Sequence, residues 1–148
     1  MLKHQLIHPK INEVLGRAGH YSTVLIADGN YPASHAKGPQ AELVSLNLTP
    51  GVVTCTEVLK ALVTAIPIQQ ANTMQYQTSG PFRLTEDPPV WNNYRAVFKN
   101  SAIDLELNPI EQFKFYESVI QPEHILTIQT ADQALYANLL LTIGVRIT

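Results

Sequence analysis

The 148-residue sequence has a single cysteine, Cys55, so it forms no internal disulfide and offers no cysteine pair for a zinc site. Charge is scarce as well: 15% of residues are Asp, Glu, Lys or Arg, against about 25% in ordinary soluble domains. Ten basic and twelve acidic residues leave a formal charge of -2, and the basic ones are scattered from Lys3 to Arg146. Without a basic stripe to neutralise phosphates, a nucleic acid or an anionic membrane is a disfavoured partner. No apolar run approaches the roughly 20 residues that span a bilayer. The opening MLKHQLIHPK has no signal-peptide stretch, so a cytoplasmic location is the expectation.

Several site motifs are missing too. There is no G-x-G-x-x-G, no P-loop and no G-x-S-x-G elbow, so dinucleotide binding, nucleotide hydrolysis and an elbow serine have no support. Of the five histidines, only His4 and His8 stand four apart. Pro9 opposes a helix across them, so no metal site is expected. Cys55 falls in a helix's first turn, where a thiol pKa can drop; with no partner base in the sequence, a packed small residue is the plainer reading.

What is present is an apolar fraction of 45% over a length suited to one core, so residues 1–148 read as a single domain. Pro9 opens a helix with Ile11, Val14, Leu15 and Ala18 on one stripe, and Gly19 is the expected stop. Thr23–Ala27 is a continuous apolar run that reads as a buried strand. A further strand is expected within 41–48. Thr54 and Glu57 form a capping-box pattern ahead of Val58, Leu59, Leu62, Val63 and Ile66, which Pro67 ends. A strand is expected over 72–78. Asp87-Pro88-Pro89 starts a helix with Val90, Trp91, Tyr94, Val97 and Phe98 on one side. Asn108-Pro109-Ile110-Glu111 repeats the helix-start pattern, predicting Ile110, Phe113 and Tyr116 turned inward. Residues 125–128 and 139–143 read as the last strands. Alternating strands and helices predict an α/β domain, a mostly parallel sheet flanked by helices, with ligands at the carboxyl ends of strands.

Three places carry candidate chemistry. His20 follows a helix end, and histidine is the side chain best suited to donate or accept a proton at physiological pH; Asp28 ends a buried strand where α/β sheets place polar ligand contacts. Gly-His and Asp-Gly pairs are also common turn chemistry, and spacing alone favours that plainer reading. The loop from Asp28 to Gln40 is long for a compact domain and carries His35 and Lys37. Tyr136-Ala137-Asn138 offers a hydroxyl and an amide suited to the neutral hydroxyls of a sugar, or alternatively packs and turns at a strand start.

Taken in order, Gly19-His20, Ile26-Ala27-Asp28, Tyr31-Pro32-Ala33, Gly38-Pro39-Gln40, Tyr94-Arg95, Phe115-Tyr116-Glu117 and Tyr136-Ala137-Asn138 resemble the RbsD/FucU family. The likeness spans roughly Ile7 to Val145 and is greatest to its L-fucose mutarotase branch. The resemblance implies an RbsD-like fold and an isomerase that interconverts the anomers of a free monosaccharide with no cofactor and no metal. It also implies a homo-oligomer, a decameric ring with the site near subunit boundaries. By resemblance, His20 is the proton donor, while Asp28, Tyr136, Ala137 and Asn138 bind the sugar. That branch carries an arginine before the Phe-x-Phe-Tyr-Glu stretch; here the position is Gln112, which keeps donors and an acceptor without the charged fork. Lys114 stands nearby as an alternative charge. The pyranose–furanose exchange of the ribose branch is the second reading, and a sugar-binding module without turnover the third.

Overall fold

The computed structural model describes residues 1–148, and its ten elements bear out the α/β expectation. The order is α1 (Pro9–Arg17), β1 (Thr23–Ala27), β2 (Glu42–Ser45), α2 (Cys55–Leu62), β3 (Ile68–Met74), α3 (Pro89–Asn100), β4 (Leu107–Ile110), α4 (Gln112–Val119), β5 (His124–Gln129) and β6 (Leu139–Ile143). The six strands form one sheet in the order β2-β5-β1-β6-β3-β4. β2, β5 and β1 pair in parallel, as do β3 and β4, while β6 runs antiparallel to both of its neighbours. Five strands therefore share one direction. Their carboxyl ends, together with the start of β6, lie along a single edge of the sheet.

The sheet is buried on both faces near its centre, as continuous apolar strands require. On one face Val24, Ile26, Leu126, Ile128, Leu139 and Leu141 pack with residues of α1, α2 and α3, including Trp91, Tyr94 and Phe98. On the other, Leu25, Ala27, Met74 and Leu140 pack with Phe115 and Val119 of α4 and with Tyr31 and Ala33. The loop after β1 is thus pinned to a core, and Gly38 shows how tightly: a Cβ there would lie 2.7 Å from the Gln121 carbonyl oxygen.

The capping box before α2 forms as expected: the Thr54 hydroxyl accepts from the Glu57 N–H, and Glu57 accepts from the Thr54 N–H. Such a cap contributes about 1 kcal/mol. All five apolar residues predicted on α3 are buried.

Three local expectations are corrected. Asn108-Pro109-Ile110 is the edge strand β4, not a helix start. A residue before proline is driven to extended backbone, and an edge strand tolerates the missing proline N–H. Glu111 caps α4 instead, its carboxylate accepting from the Phe113 and Lys114 N–H groups. The later start rotates the buried face, so Phe115 and Val119 are inside while Phe113 is 71% exposed. Second, β3 begins at Ile68, directly after Pro67, and ends at Met74. Third, Gly19 does not stop α1 in a left-handed turn; Ala18 turns extended and Tyr21 takes the positive φ, 69°. His8, in turn, caps α1 through Nδ1, which accepts from the Ile11 N–H.

Candidate active site

β1 delivers Asp28 to the carboxyl edge, where the start of β6 lies beside it, because Ile26 pairs with Leu139 in that antiparallel register. Asp28 is 6% exposed. The Asn138 amide binds it at two points: its Oδ1 accepts from the Asp28 N–H at 2.8 Å, and its Nδ2 donates to Asp28 Oδ2 at 3.1 Å. The Asn30 N–H donates to Oδ1 at 2.9 Å, and Gln129 Nε2 donates to the Asp28 carbonyl. Burial pushes the Asp28 carboxyl up to about 6, against the smaller opposite pull of the Asn30, Tyr31 and Asn138 hydrogen bonds. A carboxylate at that value changes charge close to neutrality, the range suited to proton chemistry.

Asp28 and Asn138 open onto a cavity of about 420 Å³, also lined by Asn30, Tyr31, Met74, Gln77, Phe82, Gln112, Tyr116, Leu135 and Tyr136. The size and the mixed lining, apolar walls with a few convergent polar groups, are those of a small-molecule site. Gln112, first residue of α4, accepts from Gln77 Nε2 at 3.3 Å. Lys114 faces a different groove beside Thr23 and Thr142, so it does not supply a charge here.

Tyr136 adopts φ 58°, a left-handed conformation that strains a tyrosine by about 1–3 kcal/mol. Two buried aromatics of α3 hold it there: Trp91 Nε1 donates to the Tyr136 carbonyl at 2.9 Å, and the Tyr94 hydroxyl donates to that of Ala137. The Tyr136 ring walls the cavity, while Ala137 is fully buried behind it.

A second carboxylate, Asp132, is occupied elsewhere. Its Oδ2 accepts from the Cys55 N–H at 2.9 Å and its Oδ1 from the Ala134 N–H at 2.9 Å, which ties α2 to the carboxyl edge. Cys55 itself is buried beside Thr130, and desolvation pushes its thiol up to about 12 rather than down. The helix start thus does not activate it.

His20 lies elsewhere in the same chain. It precedes β1, so it stands at the amino edge of the sheet, separated from Asp28 by a strand of five residues, about 16 Å at 3.3 Å each. Its Nε2 hydrogen-bonds the Gln69 Oε1 at 2.8 Å, and its exposed ring stacks on Tyr21 at 3.9 Å. His35 pairs only with Ser34, and Lys37 donates to the Ala41 carbonyl; neither lines the cavity. Of the residues singled out in the sequence, one chain therefore brings together Asp28, Gln112, Tyr136 and Asn138. Gln69, Gln77 and Phe82 carry no motif in the sequence and are recognisable only through the elements that converge on them. No group of three or more His, Cys, Asp or Glu side chains is arranged to hold a metal ion, and no helix is long and apolar enough to cross a membrane.

Comparison with known proteins shows which family and fold the chain shares. A zebrafish (Danio rerio) fucose mutarotase is 26% identical over 144 residues, covering 95% of this chain and 90% of the relative. The crystal structure of FucU from Bifidobacterium longum superposes with a TM-score of 0.77 at 30% identity, covering 95% of this chain and 96% of that one. The fucose mutarotase of Streptococcus pneumoniae, solved in complex with L-fucose, shares the fold with a TM-score of 0.80 at 20% identity over 99% of this chain and all of the other. The model of the RbsD/FucU transport protein family matches residues 1–146. The chain belongs to the RbsD/FucU family.

Proposed function

We propose that the protein is a sugar mutarotase, an isomerase that interconverts the α and β anomers of a free monosaccharide, with L-fucose the first substrate to test. The observation that carries this reading is the Asp28–Asn138 pair at the head of a cavity of monosaccharide scale, in a chain whose relatives include fucose mutarotases. Anomer exchange asks for little more than positioned acid–base groups. The ring oxygen gains a proton, the anomeric hydroxyl loses one, and the C1–ring oxygen bond breaks to give the open aldehyde. Rotation about C1–C2 and reclosure then give the other anomer, with no net change in atoms or charge. A positioned general acid or base contributes roughly 10²–10⁴-fold to such steps.

In this reading His20 protonates the ring oxygen, Asp28 and Asn138 orient the sugar hydroxyls, Gln112 adds an amide at the rim and the Tyr136 ring forms a wall. Because His20 and Asp28 occupy opposite edges of one sheet, the histidine must come from a neighbouring copy. Exposed apolar residues support that assembly: Leu48, Phe82, Phe113 and Leu135 at the carboxyl edge, and Tyr21, Val145 and Ile147 at the amino edge. Joining unlike edges is a heterologous contact, which closes into a ring when the rotation permits; a cytoplasmic decamer is the assembly we propose. Exchange NMR on free L-fucose tests the activity. Accelerated α/β exchange supports it, exchange confined to ribose supports the pyranase alternative, and binding without exchange refutes turnover.

A further inference from the structure

Tyr136 is the polar residue most naturally read as a sugar contact, yet its hydroxyl is engaged elsewhere. Its one hydrogen goes to the Phe82 carbonyl at 2.9 Å, and it accepts from the Gln77 N–H at 3.1 Å. A hydroxyl has one donor and two acceptor positions, so one lone pair is left. Both partners belong to the segment between β3 and α3, whose residues 77–83 are exposed and in neither helix nor strand. Within that segment, Leu84 N–H donates to the Gln77 carbonyl at 2.8 Å, and Arg83 binds the Gly80 carbonyl. Residues 77–83 make side-chain hydrogen bonds to the body of the protein through Tyr136 and through Gln112, which accepts from Gln77, while Arg95 of α3 binds Asp87 at the far end of the segment.

We propose that Tyr136 is a positioning residue that latches this loop, and that Phe82 and Gln77, carried by the loop, are the groups that shape the cavity against the sugar. Phe82 and Gln77 both line the cavity, and Gln77 reaches Gln112 across it. The latch itself is held still from behind, since Trp91 and Tyr94 fix the carbonyls of Tyr136 and Ala137. Without the two bonds to the hydroxyl, residues 77–83 keep one side-chain hydrogen bond to the body of their own chain, from Gln77 to Gln112 at 3.3 Å. The part of this inference that concerns the sugar rests on the mutarotase reading; the latch does not.

Two measurements test it separately. Tyr136→Phe keeps the ring and removes both loop bonds, so hydrogen exchange at the amides of Gln77 and Leu84 should quicken at least about tenfold in the absence of sugar. Unchanged exchange there overturns the latch whether or not the protein turns over any sugar. In the L-fucose assay, Tyr136→Phe and Phe82→Ala should each raise KM about three- to tenfold with kcat little moved, the scale of one or two net hydrogen bonds. The double variant should be no weaker than Phe82→Ala alone, because both act through one loop. Phe82 is 58% exposed, so its truncation leaves the core intact. Fully additive losses would mean that the Tyr136 hydroxyl meets the sugar directly and would overturn the proposal.

Discussion

Asn138 grips Asp28 with both ends of its side-chain amide, accepting from the Asp28 N–H at 2.8 Å and donating to its carboxylate at 3.1 Å. The first bond fixes the backbone where β1 ends, and the second stabilises the charged form of a carboxyl that burial nonetheless pushes up to about 6. Asn138→Asp keeps the shape but replaces the donor with a second carboxylate. Like charges at this distance raise one another's pKa, so the pair should titrate together and the pH profile of sugar exchange should move up by about one unit or more. Activity at pH 7 should fall about tenfold or beyond, the cost of a lost bond to a charged group. An unmoved profile between pH 5 and 9 would show that Asn138 does not tune Asp28.

Asp28 and His124 pull stability in opposite directions. For Asp28, raised from 3.8 to about 6, the folded state holds the extra proton, so its contribution is full at low pH and is lost as pH rises through about 6. His124 is fully buried between Thr23 and Thr127, and desolvation lowers it from 6.5 to about 4. There the unfolded state binds the proton, so stability is lost as pH falls from about 6.5 through about 4. Each effect is about 3 kcal/mol, and in the wild type they offset one another. Asp28→Asn should unmask the histidine slope, with denaturant stability rising by about 3 kcal/mol from pH 4 to 6.5. A level profile in that variant contradicts the assignment.

Cys55 should be inert. Its buried thiol, pushed up to about 12, gives almost no thiolate at neutral pH. A thiol reagent should label the native protein only at the rate of unfolding and should label it at once in denaturant. Rapid labelling of the native state would mean that the α2 start opens.

Gln112 contributes an amide at the cavity rim, not a charge. Gln112→Ala should raise KM for L-fucose about two- to tenfold with kcat nearly unchanged, the range of one neutral hydrogen bond. A loss in kcat equal to the loss in kcat/KM would instead place this side chain in the transition state.

Much of this arrangement was legible in the residues. The apolar run Thr23–Ala27 and the capping box at Thr54 mark β1 and α2 because each signal is local and chemically specific. Asp28 could be placed at a strand end for the same reason. Asn108-Pro109 misleads because a cap followed by proline reads alike before a helix and at an edge strand; pairing with β3, a distant contact, decides it. The left-handed φ of Tyr136 and the roles of Gln77 and Phe82 depend on α3 aromatics and a loop far away in sequence, so no local pattern announces them. The separation of His20 from Asp28 follows from strand direction alone: the two sit at opposite ends of β1, a distance that a motif order along the chain does not express.

Light scattering should accordingly report a mass many times 16.4 kDa; a monomer would leave the cavity without its histidine. The most direct test is complementation between two inactive variants. His20→Ala and Asp28→Asn should each abolish accelerated α/β exchange of L-fucose in the NMR assay. Co-expressed and purified as one mixed assembly, they should recover about a quarter of wild-type exchange, since random neighbours then leave one boundary in four with both native residues. Mixed assemblies as inactive as either parent would contradict a site built from His20 of one copy and Asp28 of the next.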